Sequence, residues 1–247
     1  MLRLWITRTE NAAKRLQQSI AQEDEKNIEL TCQALIEVEP LSPWQYSEAR
    51  LQSGQLSWQK LDDLPASCCV LVLSVTAARC YVDSHVVQAE QPHIAVGEAT
   101  AVVLREQGLQ VDVPRLQNSE GLTQLDWPRW LDPTGWVWVI AGLGGRELIA
   151  QQLLQQFKTR VCKIATYQRT NVEYGPLSRD ELSQIDAIEI SSLQALNNLY
   201  RLYPESRSKQ LVVPSLRLKR QAQKANFKNI VVAESANAAD IVKSLHR

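Results

Sequence analysis

Short runs of β-branched and other apolar residues alternate along this chain with segments of helical period. That alternation restricts the chain to an α/β fold built on parallel sheet. Leu2-Arg3-Leu4-Trp5-Ile6 reads as a strand, and Ala12, Leu16 and Ile20 then recur every four residues, as on the buried face of a helix. Ile28 to Val38 reads as a second strand. Further strands are expected at Val70–Leu73, His93–Val96, Val111–Val113, Val137–Ile140, Val161–Ala165, Ala187–Ile190, Leu211–Val213 and Ile230–Val232. These ten strands are too many for one typical open sheet and suit two sheets of about five.

An internal repeat supports that division. Leu71-Val72-Leu73-Ser74-Val75-Thr76-Ala77 is echoed by Ile188-Glu189-Ile190-Ser191-Ser192-Leu193-Gln194-Ala195, and Ala95-Val96-Gly97 by Val212-Val213-Pro214. The strand and helix after Leu4 likewise correspond to those after Trp138. The middle segment holds a full set of elements, whereas the N-terminal strand-helix-strand is complete only with the C-terminal segment. We therefore expect a discontinuous first domain, residues 1–37 with 173–247, and an inserted second domain, residues 41–164. The connectors are residues 38–40 and 165–172, extended segments able to pair as a two-stranded ribbon. The competing arrangement is a single domain with one long sheet.

Composition narrows the function classes. With 27 Lys+Arg against 27 Asp+Glu the net charge is zero, which argues against general nucleic-acid binding. The run from Cys68 to Ala78 contains Ser74 and Thr76 and is too short to span a bilayer, and the first residues lack the apolar core of a signal peptide. Cys32, Cys68, Cys69, Cys80 and Cys162 form neither a CxxC pair nor an even disulfide framework, and read as buried cytosolic thiols. His85, His93 and His246 are scattered without partners at ligand spacing, so no metal site is expected.

In parallel α/β sheets ligands bind at the carboxyl ends of strands, where helix N-termini offer free N–H groups and partial positive charge to anions. This chain places small or hydroxyl residues at junction after junction: Thr7 with Arg8, Ser74 with Thr76, Gly97 with Thr100, Ser191 with Ser192, and Ser215. Helix capping is the competing use of each hydroxyl. Gly142-Leu143-Gly144-Gly145-Arg146-Glu147 begins like a dinucleotide fingerprint, but Glu147 stands at its last glycine position and no acid closes the next strand. Arg217, Lys219, Arg220, Lys224 and Lys228 form an acid-free run that reads as a solvated helix face. Trp127, Trp130, Trp136 and Trp138 read as packing residues. Tyr167 falls in the second connector, and because phenols hold their proton at neutral pH it is a candidate general acid. Hinge packing is its competing role.

Taken in order, Ile6-Thr7-Arg8, Ala95-Val96-Gly97-Glu98-Ala99-Thr100-Ala101, Gly108, Val113-Pro114, Ser119-Glu120-Gly121-Leu122, Gly144-Gly145-Arg146-Glu147-Leu148, Thr166-Tyr167-Gln168-Arg169, Ser191-Ser192, Val213-Pro214-Ser215 and Asn226 to Ala236 resemble the uroporphyrinogen-III synthase family. The resemblance covers nearly the whole chain. It departs at Ser74-Val75-Thr76, where the family commonly has Ser-x-Asn, and at Ala141, where it often has Arg. It implies two similar parallel-sheet α/β domains joined by a two-stranded connector, the second inserted into the first. It also implies a cofactor-free cyclisation of hydroxymethylbilane, a linear tetrapyrrole bearing eight carboxylates, with loss of water and inversion of ring D through a spiro intermediate. Tyr167 matches the family tyrosine proposed as proton donor to the departing hydroxyl. The junction residues would bind substrate in a cytoplasmic monomer without metal or nucleic acid, with other tetrapyrrole-pathway enzymes as candidate partners. The alternatives are a non-catalytic two-lobed binding protein for an anionic ligand and, more weakly, a dinucleotide-dependent oxidoreductase.

Overall fold

The computed structural model describes residues 1–23, 27–43, 46–52, 56–60, 63–132, 135–144 and 147–245. Its elements run β1 (Leu2–Ile6), α1 (Glu10–Gln22), β2 (Ile28–Cys32), β3 (Ile36–Pro40), β4 (Ser47–Gln52), β5 (Leu56–Lys60), β6 (Ser67–Val72) and α2 (Val75–Val82). They continue with β7 (His93–Ala95), α3 (Glu98–Arg105), β8 (Val111–Asp112), α4 (Ser119–Thr123), β9 (Trp136–Gly142), α5 (Leu148–Phe157) and β10 (Arg160–Asn171). The C-terminal part adds α6 (Arg179–Gln184), β11 (Ala187–Glu189), α7 (Leu193–Leu202), β12 (Gln210–Val213), α8 (Leu216–Lys224), β13 (Ile230–Val232) and α9 (Ala238–Leu245). The chain divides into two compact units, Met1–Val38 with Thr170–Arg247, and Glu39–Arg169.

The first unit carries a five-stranded sheet in the order β13-β12-β11-β1-β2. All its pairings are parallel, and Leu4 lies beside Ala187 and Ile6 beside Glu189. Alternation along β1 sends Leu4 and Ile6 to one face, against α1 and α9, and Trp5 to the other. Both faces are covered, so the buried positions of β1, β11 and β12 are apolar apart from Glu189. Burial of a side chain such as Leu4 or Ile6 contributes about 1.5–3 kcal/mol. The fully buried Trp5 donates its Nε1–H to the Gln33 carbonyl at 2.8 Å and packs edge-on against Tyr203, ring centroids 5.5 Å apart. A Cβ at Gly175 would stand 2.4 Å from the Tyr203 hydroxyl, so close approach of that ring requires glycine there.

The second unit repeats this core with one addition. Its sheet runs β5-β4-β10-β9-β6-β7-β8, and the five strands β10-β9-β6-β7-β8 are parallel and match β2-β1-β11-β12-β13 of the first unit in order. The internal repeat read from the sequence is therefore a repeat of topology. Beyond β10, β4 and β5 join antiparallel and extend the expected parallel core at one edge. Residues 47–60 were not expected to be strands because they lack the continuous apolar run that marks a strand buried on both faces. The core gathers Leu71, Ile94, Trp127, Val139, Leu153 and Val161. Trp127 and Trp138 bury their rings, and their Nε1–H groups reach the carbonyls of Leu122 and Pro65, each at 2.9 Å.

The single strand expected at Ile28–Val38 is two. The amides of Gln33 and Leu35 bond the carbonyls of Ile6 and Thr7, and Leu35 is fully buried. The chain thus stays beside the end of β1 through Leu35 and continues as β3, which pairs with β10. All five cysteines are free, but only Cys69 and Cys162 are buried as expected; Cys32, Cys68 and Cys80 are partly exposed. Among the described residues no helix is long and apolar enough to cross a membrane, and no group of three His, Cys, Asp or Glu side chains is placed to hold a metal. His246 lies outside the described residues.

His93 is buried between the Tyr81 hydroxyl, 3.2 Å from Nε2, and the Gln91 carbonyl, 2.8 Å from Nδ1. The carbonyl requires a proton on Nδ1, so Nε2 accepts from the phenol, whose pKa burial pushes up to about 12. Burial holds the His93 pKa below its ordinary value. A depressed folded pKa means that the unfolded chain takes up the proton first. Stability from this group is therefore complete above about pH 6.5 and is lost as pH falls toward the folded pKa. In urea unfolding between pH 7 and 5, His93→Gln should be less stable at pH 7 and lose less stability on acidification than the native protein.

Candidate active site

At the carboxyl end of the second unit's sheet, β10 breaks register against β9. Ala165 pairs with Ala141 and Tyr167 with Gly142, leaving Thr166 as the extra residue of a bulge. Bulges re-aim side chains. Here the Tyr167 ring is laid across Gly142: a Cβ added there would sit 2.6, 2.8 and 2.9 Å from its Cζ, Cε2 and Oη. The Leu143 amide donates to the Tyr167 carbonyl at 2.8 Å, which ties the glycine loop to the bulge. Tyr167 is only 6% exposed, and its hydroxyl lies 3.3 Å from Ser74 Oγ. The Arg169 guanidinium stands 5.9 Å from the ring centroid, at the outer reach of a cation–π contact.

Ser74 also caps α2, accepting from the Ala77 amide at 3.0 Å. Caps of this kind are worth about 1 kcal/mol. A hydroxyl that accepts from an amide still has its own proton to give, so Ser74 can donate to the phenol oxygen and leave the phenol proton directed elsewhere. The cap takes the third amide of the helix. Those of Val75 and Thr76 have no partner among the described residues, and neither has the half-buried Thr76 hydroxyl. At α3, Gly97 is the N-cap, but the Glu98 amide is already bonded to Gln117 Oε1 at 2.9 Å and Thr100 is buried.

In the first unit the corresponding edge carries Ser192 and Ser215 as caps of α7 and α8, accepting from the Ala195 and Leu218 amides at 3.1 and 3.3 Å. Ser191, half-buried, makes no hydrogen bond among the described residues. Thr7, read as a residue offering its hydroxyl to a ligand, is fully buried and donates to the Glu189 carbonyl at 2.8 Å. Its hydroxyl is used inside the sheet because it ends a strand instead of starting a helix, whose N-cap is Thr9. Arg8 reaches Glu189 through Nε at 3.0 Å and Nη2 at 2.8 Å. Burial pushes the Glu189 carboxyl pKa upward, and Arg8 opposes the shift.

Sequence reasoning missed three residues here. Gly142 was read as part of a nucleotide-like loop or of tight strand-to-helix packing, and the approach of the Tyr167 ring to it was not foreseen. Glu189 was passed over although it is the one charge in Ala187-Ile188-Glu189-Ile190. Glu147 was read only as evidence against a dinucleotide site. Its carboxylate receives both Lys163 and the buried Arg50, tying β10 and β4 to the start of α5. Gly145 and Arg146 of the same loop lie outside the described residues.

Two α/β units of shared topology, one interrupted by the other, define an α/β protein of the inserted type. The model of the family described as uroporphyrinogen-III synthase HemD matches residues 18–243. The chain belongs to the uroporphyrinogen-III synthase family, and its activity is that of a cyclising lyase of tetrapyrrole biosynthesis whose substrate is hydroxymethylbilane. Its fold is similar to the crystal structure of uroporphyrinogen-III synthetase from Helicobacter pylori, with a TM-score of 0.60 at 10% identity over 98% of this chain and 97% of that one. It is also similar to a mutant uroporphyrinogen III synthase from the extremely thermophilic bacterium Thermus thermophilus, with a TM-score of 0.50 at 12% identity over 100% of this chain and 98% of that one. No curated protein matches. Family membership disfavours the non-catalytic binding-protein alternative.

The Gly142–Tyr167 approach leads to a direct expectation. Gly142→Ala should displace the ring, lower stability by roughly 1–3 kcal/mol through overpacking, and reduce turnover. Combined with Tyr167→Ala, which removes the obstructing ring, the added methyl should cost far less stability than it does alone. A double-mutant cycle by thermal unfolding, with turnover followed in parallel, checks this.

Proposed function

We propose that Tyr167 is the general acid of the cyclisation and that the carboxyl edges of both units bind the substrate's acetate and propionate groups. The observation that carries this reading is the phenol held over Gly142 within 3.3 Å of Ser74, at the N-terminus of α2. As the C–O bond of the hydroxymethyl group breaks, the departing oxygen takes the Tyr167 proton and leaves as water. The pyrrole nitrogen supplies the electrons and keeps its proton, so the substrate becomes an azafulvenium cation. The terminal ring attacks through its substituted carbon, and the resulting spiro-pyrrolenine fragments and recloses with ring D inverted. The closing carbon then loses its proton, which restores the phenol, so only water leaves overall. Ser74 and the positive end of α2 favour the transient phenolate.

Arg8, Ser74, Thr76, Gly97, Ser191, Ser192 and Ser215 are the proposed contacts to carboxylates, with Thr7 and Thr100 supporting them from the interior. Free amides of the first helical turns suit a polyanion without requiring net positive charge. The two compact units serve as the enzyme's domains, residues 1–37 with 173–247 and 41–164, joined by 38–40 and 165–172. The enzyme acts as a cytoplasmic monomer without metal, flavin or nucleotide, because pyrrole nitrogens supply the electron push and the protein's part is positioning. It receives its substrate from, and passes its product to, other tetrapyrrole-pathway enzymes.

The test is Tyr167→Phe with freshly made hydroxymethylbilane, separating the uroporphyrin isomers after oxidation. Turnover should fall by roughly one to four orders of magnitude, with little change in thermal stability and isomer III still the main enzymatic product. Full activity would leave Tyr167 a packing residue. In the same assay, chelation should leave the native rate unchanged.

A further inference from the structure

Glu189 is only 1% exposed in a strand whose neighbours Ala187, Ile188 and Ile190 are apolar and fully buried. Removing a carboxylate from water is costly unless it is paired. A buried ion pair can often be replaced by apolar residues of similar volume without loss of stability. Folding alone therefore does not account for a carboxylate at this position.

Its geometry suggests another use. Glu189 Oε1 accepts from both Nε (3.0 Å) and Nη2 (2.8 Å) of Arg8, and Nη2 also donates to the Ala236 carbonyl at 2.8 Å. Three bonds fix the plane of a guanidinium whose side chain is 15% exposed, while Nη1 has no partner among the described residues. Arg8 follows β1 and Glu189 ends β11, neighbouring strands whose carboxyl ends share an edge with Ser191 and Ser192. A guanidinium whose Nε and Nη2 are held by the protein while Nη1 is not, at the ligand-binding edge of a parallel sheet, is arranged to meet an oxyanion.

We propose that Glu189 is a positioning residue that holds Arg8 with its Nη1 donors directed to a carboxylate of the tetrapyrrole substrate. The proposal rests on the reading of Arg8 as a substrate contact and adds the residue that makes the contact geometrically possible. Lysine could not fill this role, since the arrangement needs a planar fork with one side bonded to the protein and the other side free.

The experiment compares Glu189→Leu with the double variant Arg8→Met/Glu189→Leu, measuring thermal unfolding and the KM and kcat of isomer III formation from hydroxymethylbilane. Both should fold, with the double variant at least as thermostable as the native protein. Both should show KM raised roughly tenfold or more with kcat within about threefold, since a charge-assisted hydrogen bond to bound substrate is lost or misdirected. If Glu189→Leu has no thermal transition, Glu189→Gln replaces it with the same expected direction. A native KM in the Glu189 variant beside a raised KM in the double variant overturns the positioning role and leaves Arg8 as a contact. A native KM in the double variant overturns the Arg8 reading and the proposal with it.

Discussion

The parallel register that places Leu4 beside Ala187 holds together residues from opposite ends of the chain, and the rest of the architecture depends on it. It makes β1 the strand between β11 and β2, buried on both faces. It also requires everything between β2 and β11 that is not part of this sheet to leave and return, which the pairing of β3 with β10 accommodates. The entropic cost of so long an excursion is modest, because loop closure grows only logarithmically and each doubling adds about 0.6 kcal/mol. A segment that folds on its own core, around Leu71, Val139 and Leu153, no longer behaves as a flexible loop at all.

A neutral chain is suited to a polyanionic substrate because its positive potential is local. The backbone supplies it at the N-termini of α2, α7 and α8, where Ser74, Ser192 and Ser215 satisfy one amide each by capping. Capping and ligand binding are therefore not exclusive uses of these serines. Where a side chain fills the amide site instead, as Gln117 does at α3, the same helix end offers less to a ligand. The Tyr167 phenol follows a similar economy: one extra residue in β10 and one missing side chain at Gly142 set its place.

Much of this was legible before any coordinates. Apolar runs placed the parallel strands of both cores, and the order of small and hydroxyl residues marked the junctions. The β4–β5 pair was missed, because residues 47–60 lack the continuous apolar run that marked the other strands and their alternation of polar and apolar residues was passed over. The break between β2 and β3 was equally hidden, since Gln33 and Leu35 are turned by bonds to Ile6 and Thr7, partners remote in sequence.

What the sequence by itself determined is periodicity and chemistry: an α/β chain with a repeated set of elements, hydroxyls at strand ends, a tyrosine in a polar extended stretch and no net charge. Tertiary structure alone decided which of those groups are available. It buried Thr7 against a carbonyl of β11, brought the Tyr167 ring onto Gly142 through a register shift, and matched Arg8 with Glu189 across two neighbouring strands. The reason is physical. Periodicity is a property of neighbouring residues, whereas a hydrogen bond between β1 and β11 depends on the register of strands that only the closed sheet brings together.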